Sequence, residues 1–285
     1  VVAEVLICVK LRATSNSLDG KPVARLPELR RLRSLGFQSR LMIMLIAVSV
    51  TSVLIAGLLG YLSGTNSLRN AEFQRLTQLR ESRAREITSY FDSVANAAAV
   101  LTHSNATIKA MKDFTGAFAE LQKAPLPPGA KESVDRYYTD VFEKGLEAGT
   151  GKSADAALYR PASNAQTYLQ ALYTVAGQGR PGESAKIINP GDPSAWTKLH
   201  AGYQPFFSDF AKRFNFYDVL LIDTDGNIVY TNAKEVDLGS NVSTGGYKST
   251  RLSEGFRKAM LAASVDDVIF EDYEEYAPSY GAASP

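Results

Sequence analysis

YDVLLIDTDGNIVYTN, residues 217–232, reads as a buried apolar strand, a turn and a second strand. Asp225-Gly226 is the turn signal, because glycine accepts the positive φ that a tight hairpin needs. The acidic spacing Asp223, Asp225, Asn227 imitates a calcium loop only on the surface. Its glycine stands at the fourth place, where a calcium loop has it at the sixth. A β-hairpin is therefore expected here.

The helical period governs the chain before this point. Trp196, Leu199, Tyr203, Phe206, Phe210 and Phe214 recur at steps of three and four, and so dense an aromatic stripe is expected to face a core. Asp192 followed by Pro193 predicts the start of that helix, an N-cap and then proline at the first helical position. Further helices are expected over 165–175 and 131–148. The loop containing Pro125, Pro127, Pro128 and Gly129 closes a long helical pattern over 67–122. Within it Ile87, Phe91, Val94, Ala98 and Leu101 alternate by four and three, with Ile108 seven further on. Such a face either pairs with its twin in a homodimer or packs on its own domain, and both readings stay open.

Gly149-Thr-Gly-Lys-Ser153 invites comparison with a phosphate-binding loop. The glycine that motif requires five places before Gly151 is Leu146, and no apolar strand precedes it, so a plain loop is expected. After the hairpin a helix is predicted around 252–263 and a strand over 267–270, before the acidic, aromatic EDYEEYAPSYGAASP.

The membrane signal lies at 41–62, LMIMLIAVSVTSVLIAGLLGYL, which is 22 residues without a charge, Pro, Asn or Gln. About 20 such residues span a hydrocarbon core about 30 Å thick. Ser49, Thr51 and Ser52 can bond back to their own helix, and Tyr61 sits where an interfacial ring belongs. The run exceeds an ordinary signal-peptide core, and a retained single-pass helix in the plasma membrane is expected. Residues 1–40 carry eight basic side chains (Lys10, Arg12, Lys21, Arg25, Arg30, Arg31, Arg33, Arg40) against Glu4, Asp19 and Glu28. The positive-inside rule places this partly disordered segment in the cytoplasm and everything after Leu62 outside.

Composition excludes other classes. The chain has 285 residues, 45% apolar and 21% charged, with a net charge of +1, so neither disorder nor a global nucleic-acid-binding face is expected. One cysteine, Cys8, permits no intramolecular disulfide and no cysteine-based zinc site. No zincin, hydrolase-elbow, dinucleotide or kinase signature occurs, and His103 and His200 read as surface or packing residues. Neither catalysis nor a cofactor nor a metal is expected.

The string YDVLLIDTDGNIVYTNAKEVDLGSNV (217–242), with Gly246-Tyr247 and Leu252, resembles the core of a Cache domain, a PAS-like extracellular sensor of bacterial receptors. The basic-flanked membrane helix, SRAREITSYFDS (82–93), YRPASNAQTYLQALY (159–173) and FEDYEEYAPSYGA (270–282) extend the resemblance over about residues 37–282. The variety most similar is the sensor of membrane-bound adenylate/guanylate cyclases with a HAMP relay, with chemotaxis receptors and histidine kinases as relatives. The resemblance implies an α+β fold: a transmembrane helix (41–62), a helical stalk (63–123), a helical and loop region (124–193) and an incomplete PAS-like module (194–285). It also implies a small-molecule site between sheet and covering helix, for which Tyr217, Leu221, Asp223, Tyr230, Asn232, Lys234, Asp237, Tyr247 and Tyr273 are the candidate lining residues. Asp223 and Asp237 equally suit simple turn caps. The family continues with closing strands, a second membrane helix, HAMP and an output domain. Since this chain stops at Pro285, it is expected to be the front part of such a receptor, truncated, with no cyclase activity of its own. The alternative is a ligand-free membrane interaction protein or gene fragment that pairs with a full-length receptor.

Overall fold

The computed structural model describes residues 36–151, 155–180 and 182–280, with the backbone of 283–284. The basic stretch 1–35, Lys152 and Ser153 lie outside the described residues. The chain divides into two units, one ending at Ser82 and one beginning at Arg83. Helix α1 (Phe37–His103) contributes to both.

In the first unit every described side chain is exposed, including the whole apolar run 41–62. By length and composition α1 holds a segment able to cross a membrane. Thr51 Oγ1 and Ser52 Oγ donate to the carbonyls of Ala47 and Val48 at 2.7 and 2.8 Å, which hides their polarity as expected.

The second unit is helical with two small two-stranded antiparallel sheets, so α+β describes it. Its elements are the end of α1, α2 (Asn105–Leu121), α3 (Ala130–Tyr137), α4 (Glu143–Thr150), α5 (Asn164–Leu169), α6 (Ala195–Phe214), β1 (Leu220–Ile222), β2 (Ile228–Thr231), α7 (Arg251–Met260), β3 (Glu274–Glu275) and β4 (Ala283–Ser284). The sheets pair β1 with β2 and β3 with β4. The long helical pattern is thus broken at Ser104, where α2 begins anew. One wide π turn, Tyr138–Phe142, joins α3 to α4, and another, Gln170–Thr174, prolongs α5. The two turns meet, since Tyr138 Oη donates to Gln170 Oε1 at 3.0 Å.

The hairpin forms where expected. Leu220 pairs with Thr231 and Leu221 with Tyr230, and a bulge precedes the Ile222–Ile228 pair. Gly226 takes φ 86°, and its N–H donates to the Asp223 carbonyl at 2.9 Å. All four residues of β2 are buried, whereas β1 is buried only at Leu221. Helices α2, α5 and α6 cover the hairpin with Phe114, Phe118, Leu169, Trp196, Phe207 and Tyr230 in one core. A second core joins α3 and α4 to Val236 through Tyr137, Tyr138, Phe142 and Leu146.

Four expectations need correction. The N-cap of α6 is Ser194, whose hydroxyl accepts the Thr197 N–H; Asp192 lies outside the helix and accepts from the Ser194 N–H and the Thr197 hydroxyl. The buried face of α6 runs through Trp196, His200, Gln204, Phe207 and Ala211; of the expected stripe Leu199, Tyr203 and Phe210 also pack against the first core, and Phe206 and Phe214 are exposed. Apolar letters alone missed this rotation, because His200 is buried stacked on Trp196 and Gln204 is buried bonded to Tyr230 and Asn232. Gly149 and Thr150 form the last turn of α4, and Gly151 caps it with φ 66°, so the expected loop is mostly a helix end. No strand forms over 267–270. The free edge of β2 is taken by 239–242, through Gly239 N–H to Ile228 O and Ile228 N–H to Ser240 O. Asp267 instead caps the turn at Ala263 and Ser264, and Phe270 meets Phe91 of α1 edge-on at 5.5 Å.

The stalk face divides along its length. Ile87 and Phe91 are 58% and 43% exposed, while Leu101 packs against the first core.

Candidate functional site

The nine sequence-derived residues fall into five places. Leu221 belongs to the apolar core. Tyr273 is 61% exposed and stands apart from the others, its N–H held by the Asp272 carboxylate. Asp223 is a turn cap: Oδ1 accepts the N–H groups of Asp225 and Asn227 at 3.0 and 2.9 Å, and Asn227 Nδ2 donates to Oδ2 at 3.0 Å. Asp223→Ala strips these donors of their acceptor, and a loss of about 1–3 kcal/mol is expected for leaving them unsatisfied. A lowered urea midpoint, followed by the fluorescence of Trp196, the chain's one tryptophan, checks it.

Tyr230, Asn232 and Lys234 lie in a polar network beneath α6. The Tyr230 hydroxyl donates to Gln204 Oε1 at 2.7 Å, and Gln204 Nε2 donates to Asn232 Oδ1 at 2.9 Å. Lys234 is completely buried in the left-handed conformation (φ 56°), and its Nζ donates to the carbonyls of Asn232 and Ala185 at 3.1 and 3.3 Å. His200 stacks on Trp196 at 5.0 Å, with Nδ1 2.8 Å from the Ile188 carbonyl. Burial, with Lys234 nearby, lowers its pKa to about 3, so the ring is neutral. Burial also brings the Lys234 ammonium down to about 7, against the pull of Asp218.

Tyr217, Asp237 and Tyr247 belong to an acid–phenol cluster on the other side of the 231–238 stretch. The Tyr217 hydroxyl donates to Glu235 Oε1 at 2.5 Å, Ser279 Oγ to Glu235 Oε2 at 3.2 Å, and Tyr276 Oη to Asp237 Oδ2 at 3.1 Å. Tyr247 Oη donates to the Val236 carbonyl at 3.1 Å. Asp218 contributes a third carboxylate, which accepts from the Thr231 hydroxyl and from the Val219 and Ala233 N–H groups at 2.6 and 2.9 Å. Burial pushes Asp218 up to about 6 and Glu235 up to about 7, and it holds Asp237 well above the usual carboxylate range. Lys234 does not neutralise them, since it forms no ion pair among the described residues and turns its amine to carbonyls.

A small cleft opens beside this cluster, lined by Tyr137, Thr174, Arg180, Ser184, Glu235 and Tyr280 among others. It brings a carboxylate, a guanidinium and several hydroxyls together around a space of about 20 Å³, room for a single water-sized molecule. Among the described residues no group of three or more His, Cys, Asp or Glu side chains could hold a metal ion.

Sequence reasoning missed Asp218, Glu235, Arg180, Tyr276 and Ser279. Glu235 had a signal: it stands between two chosen residues in Lys-Glu-Val-Asp, four residues past the end of a buried strand. Arg180 and Ser279 arrive from distant loops and carry none. No protein-family model matches the chain, and no curated protein and no solved structure is similar to it.

Proposed function

We propose that this chain is a membrane-anchored extracytoplasmic sensor module of a signal-transduction receptor. A membrane-length apolar helix in one chain with an α+β unit carries the reading, and the cleft lined by Glu235 and Arg180, with room for about one water-sized molecule as it stands, is where a ligand would have to open its site. The basic flank places the N-terminus in the cytoplasm and the second unit outside. The sequence resemblance to Cache sensors of receptor cyclases supports a parent with an output domain on the cytoplasmic side.

Full chain in lipid nanodiscs, screened by Trp196 fluorescence against amino acids, dicarboxylates, sugars and polyamines, tests the ligand. A binder at a hundred times its Kd stabilises a folded state by about 2.7 kcal/mol. Glu235→Ala and Arg180→Ala should each abolish the effect. A folded protein that no compound stabilises would overturn the ligand reading and leave the interaction-protein alternative.

That alternative and the sensor reading share a homodimer through the stalk, supported by exposed Ile87, Tyr90 and Phe91 on α1. Ile87→Cys in a Cys8→Ser background should give a disulfide-linked dimer in membranes. A monomer under oxidising conditions would count against pairing along this face.

A further inference from the structure

Residues 276–280 are held to the second unit by two kinds of contact. Tyr280 presses on the α3–α4 line. A Cβ on Gly145 would lie 2.6 Å from its ring and one on Gly149 2.0 Å from its carbonyl oxygen, and its phenol meets that of Tyr137 at 3.0 Å. The other contacts are hydroxyls on carboxyls: Tyr276 on Asp237, and Ser279 on Glu235, which Tyr217 also reaches. Asp237 is 2% exposed, and its second oxygen, Oδ1, is buried with no hydrogen-bond partner. An ionised carboxylate offers about four acceptor positions and is costly to bury so poorly supplied, whereas a protonated carboxyl asks for less.

The surrounding charges do not relieve it. Asp218 and Glu235 add like charge. Lys234 aims its amine at carbonyls, Arg180 lies across the cleft beside Gln178, and Arg160 sits over the Tyr138 ring, bound to Asp135. Tyr137, Tyr138 and Tyr247 present phenols, all with raised pKa values, that stay neutral near neutrality.

We infer that Glu235 and Asp237 form a proton-operated latch, in which protons on the two carboxyls keep residues 276–280 docked in acid and their loss as pH rises through neutrality releases the segment. Opening lets water reach the repelling carboxylates, which then titrate in the ordinary range near 4. The closed form binds more protons than the open one between those limits, so docking is strongest at low pH and weakens as pH climbs through about 7, where Glu235 titrates. His200 and Lys234 have the opposite sign, since their lowered pKa values cost stability in acid, but His200 acts on α6 and Lys234 turns its amine to the Asn232 and Ala185 carbonyls, away from this segment. The latch adds protons to the inputs proposed above and stands whether or not a metabolite occupies the cleft.

Amide hydrogen exchange on the full chain in nanodiscs, at pH 5.5 and 8.0 and corrected for intrinsic rates, reads the latch directly. Peptides covering 274–280 should lose at least about tenfold in protection at pH 8.0, whereas peptides of α6 should keep or gain protection there, since His200 and Lys234 are buried with lowered pKa values. In the shape-preserving Glu235→Gln/Asp237→Asn double variant the protection should stay high at both pH values. Equal protection in the wild type, or a pH dependence that survives in the double variant, would overturn the inference. Should the double variant fail to fold by Trp196 fluorescence, Tyr276→Phe substitutes for it. That change deletes the hydroxyl on Asp237, so protection should fall at pH 5.5, and unchanged protection would sink the latch.

Discussion

Trp196→Ala should cost about 3–5 kcal/mol, the range for truncating a buried large aromatic. Domains of this size hold only about 5–15 kcal/mol in all, so the second unit would be left near its unfolding threshold at 37 °C. The expectation rests on position. The indole is fully buried, donates Nε1–H to the Val229 carbonyl at 2.9 Å, and packs on Phe114, Tyr173 and His200 with ring centroids 5.0–5.4 Å apart. Removing it empties the junction of α2, α5, α6 and β2 together and strands one carbonyl of the central strand. Thermal unfolding followed by far-UV circular dichroism, which does not need the lost tryptophan, gives the number. Phe206, on the same helix but 39% exposed, is the control, and its alanine variant should lose under about 1 kcal/mol. Similar losses at both positions would mean that the buried face of α6 is misassigned.

Gly239→Val is the second large effect. Gly239 has φ 79°, a conformation a β-branched residue enters only at about 1–2 kcal/mol. A Cβ there would stand 2.8 Å from the Gln166 Cα, and backbone cannot turn aside as a side chain can. Overpacking adds about 1–3 kcal/mol. The Gly239 N–H also donates to the Ile228 carbonyl at 3.0 Å, so displacement would uncouple 239–242 from the edge of β2. The combined loss should be about 2–5 kcal/mol, seen as a lowered urea midpoint. Gly202, inside α6 with nothing within 4 Å of its would-be Cβ, is the counter-case. Alanine there should gain up to about 1 kcal/mol from helix propensity alone.

The hairpin was legible because two local signals coincide in it, a run of strand-forming residues and an Asp-Gly turn. The helix over 195–214 was legible from its period, and helices were also expected over 131–148 and 252–263, where α3, α4 and α7 form. The missing strand at 267–270 shows the limit of local reading: its letters suit a strand, but the neighbouring edge already has a partner, 239–242, that is 28 residues nearer in sequence. The candidate site was half legible for a related reason. Tyr217, Asp237 and Tyr247 flank a recognisable hairpin, whereas Tyr276, Ser279 and Arg180 reach the cluster only through folding of remote segments. Asp223, chosen for chemistry, turned out to spend its oxygens on its own turn.

The two wide turns set where the helical framework tolerates a change in chain length. A residue added to or removed from a regular helix rotates everything beyond it by about 100°, since a turn takes about 3.6 residues. Tyr138–Phe142 and Gln170–Thr174 each already hold one residue more than a regular turn; the first keeps α3 and α4 in phase, and the second closes α5 before the short turn Val175–Gly177. An orthologue one residue shorter at either place would therefore present the same faces to the same neighbours, and an alignment gap belongs there and not elsewhere in α3, α4 or α5. The bond from Tyr138 to Gln170 ties the two positions together, so a deletion at one should be accompanied by a changed residue at the other.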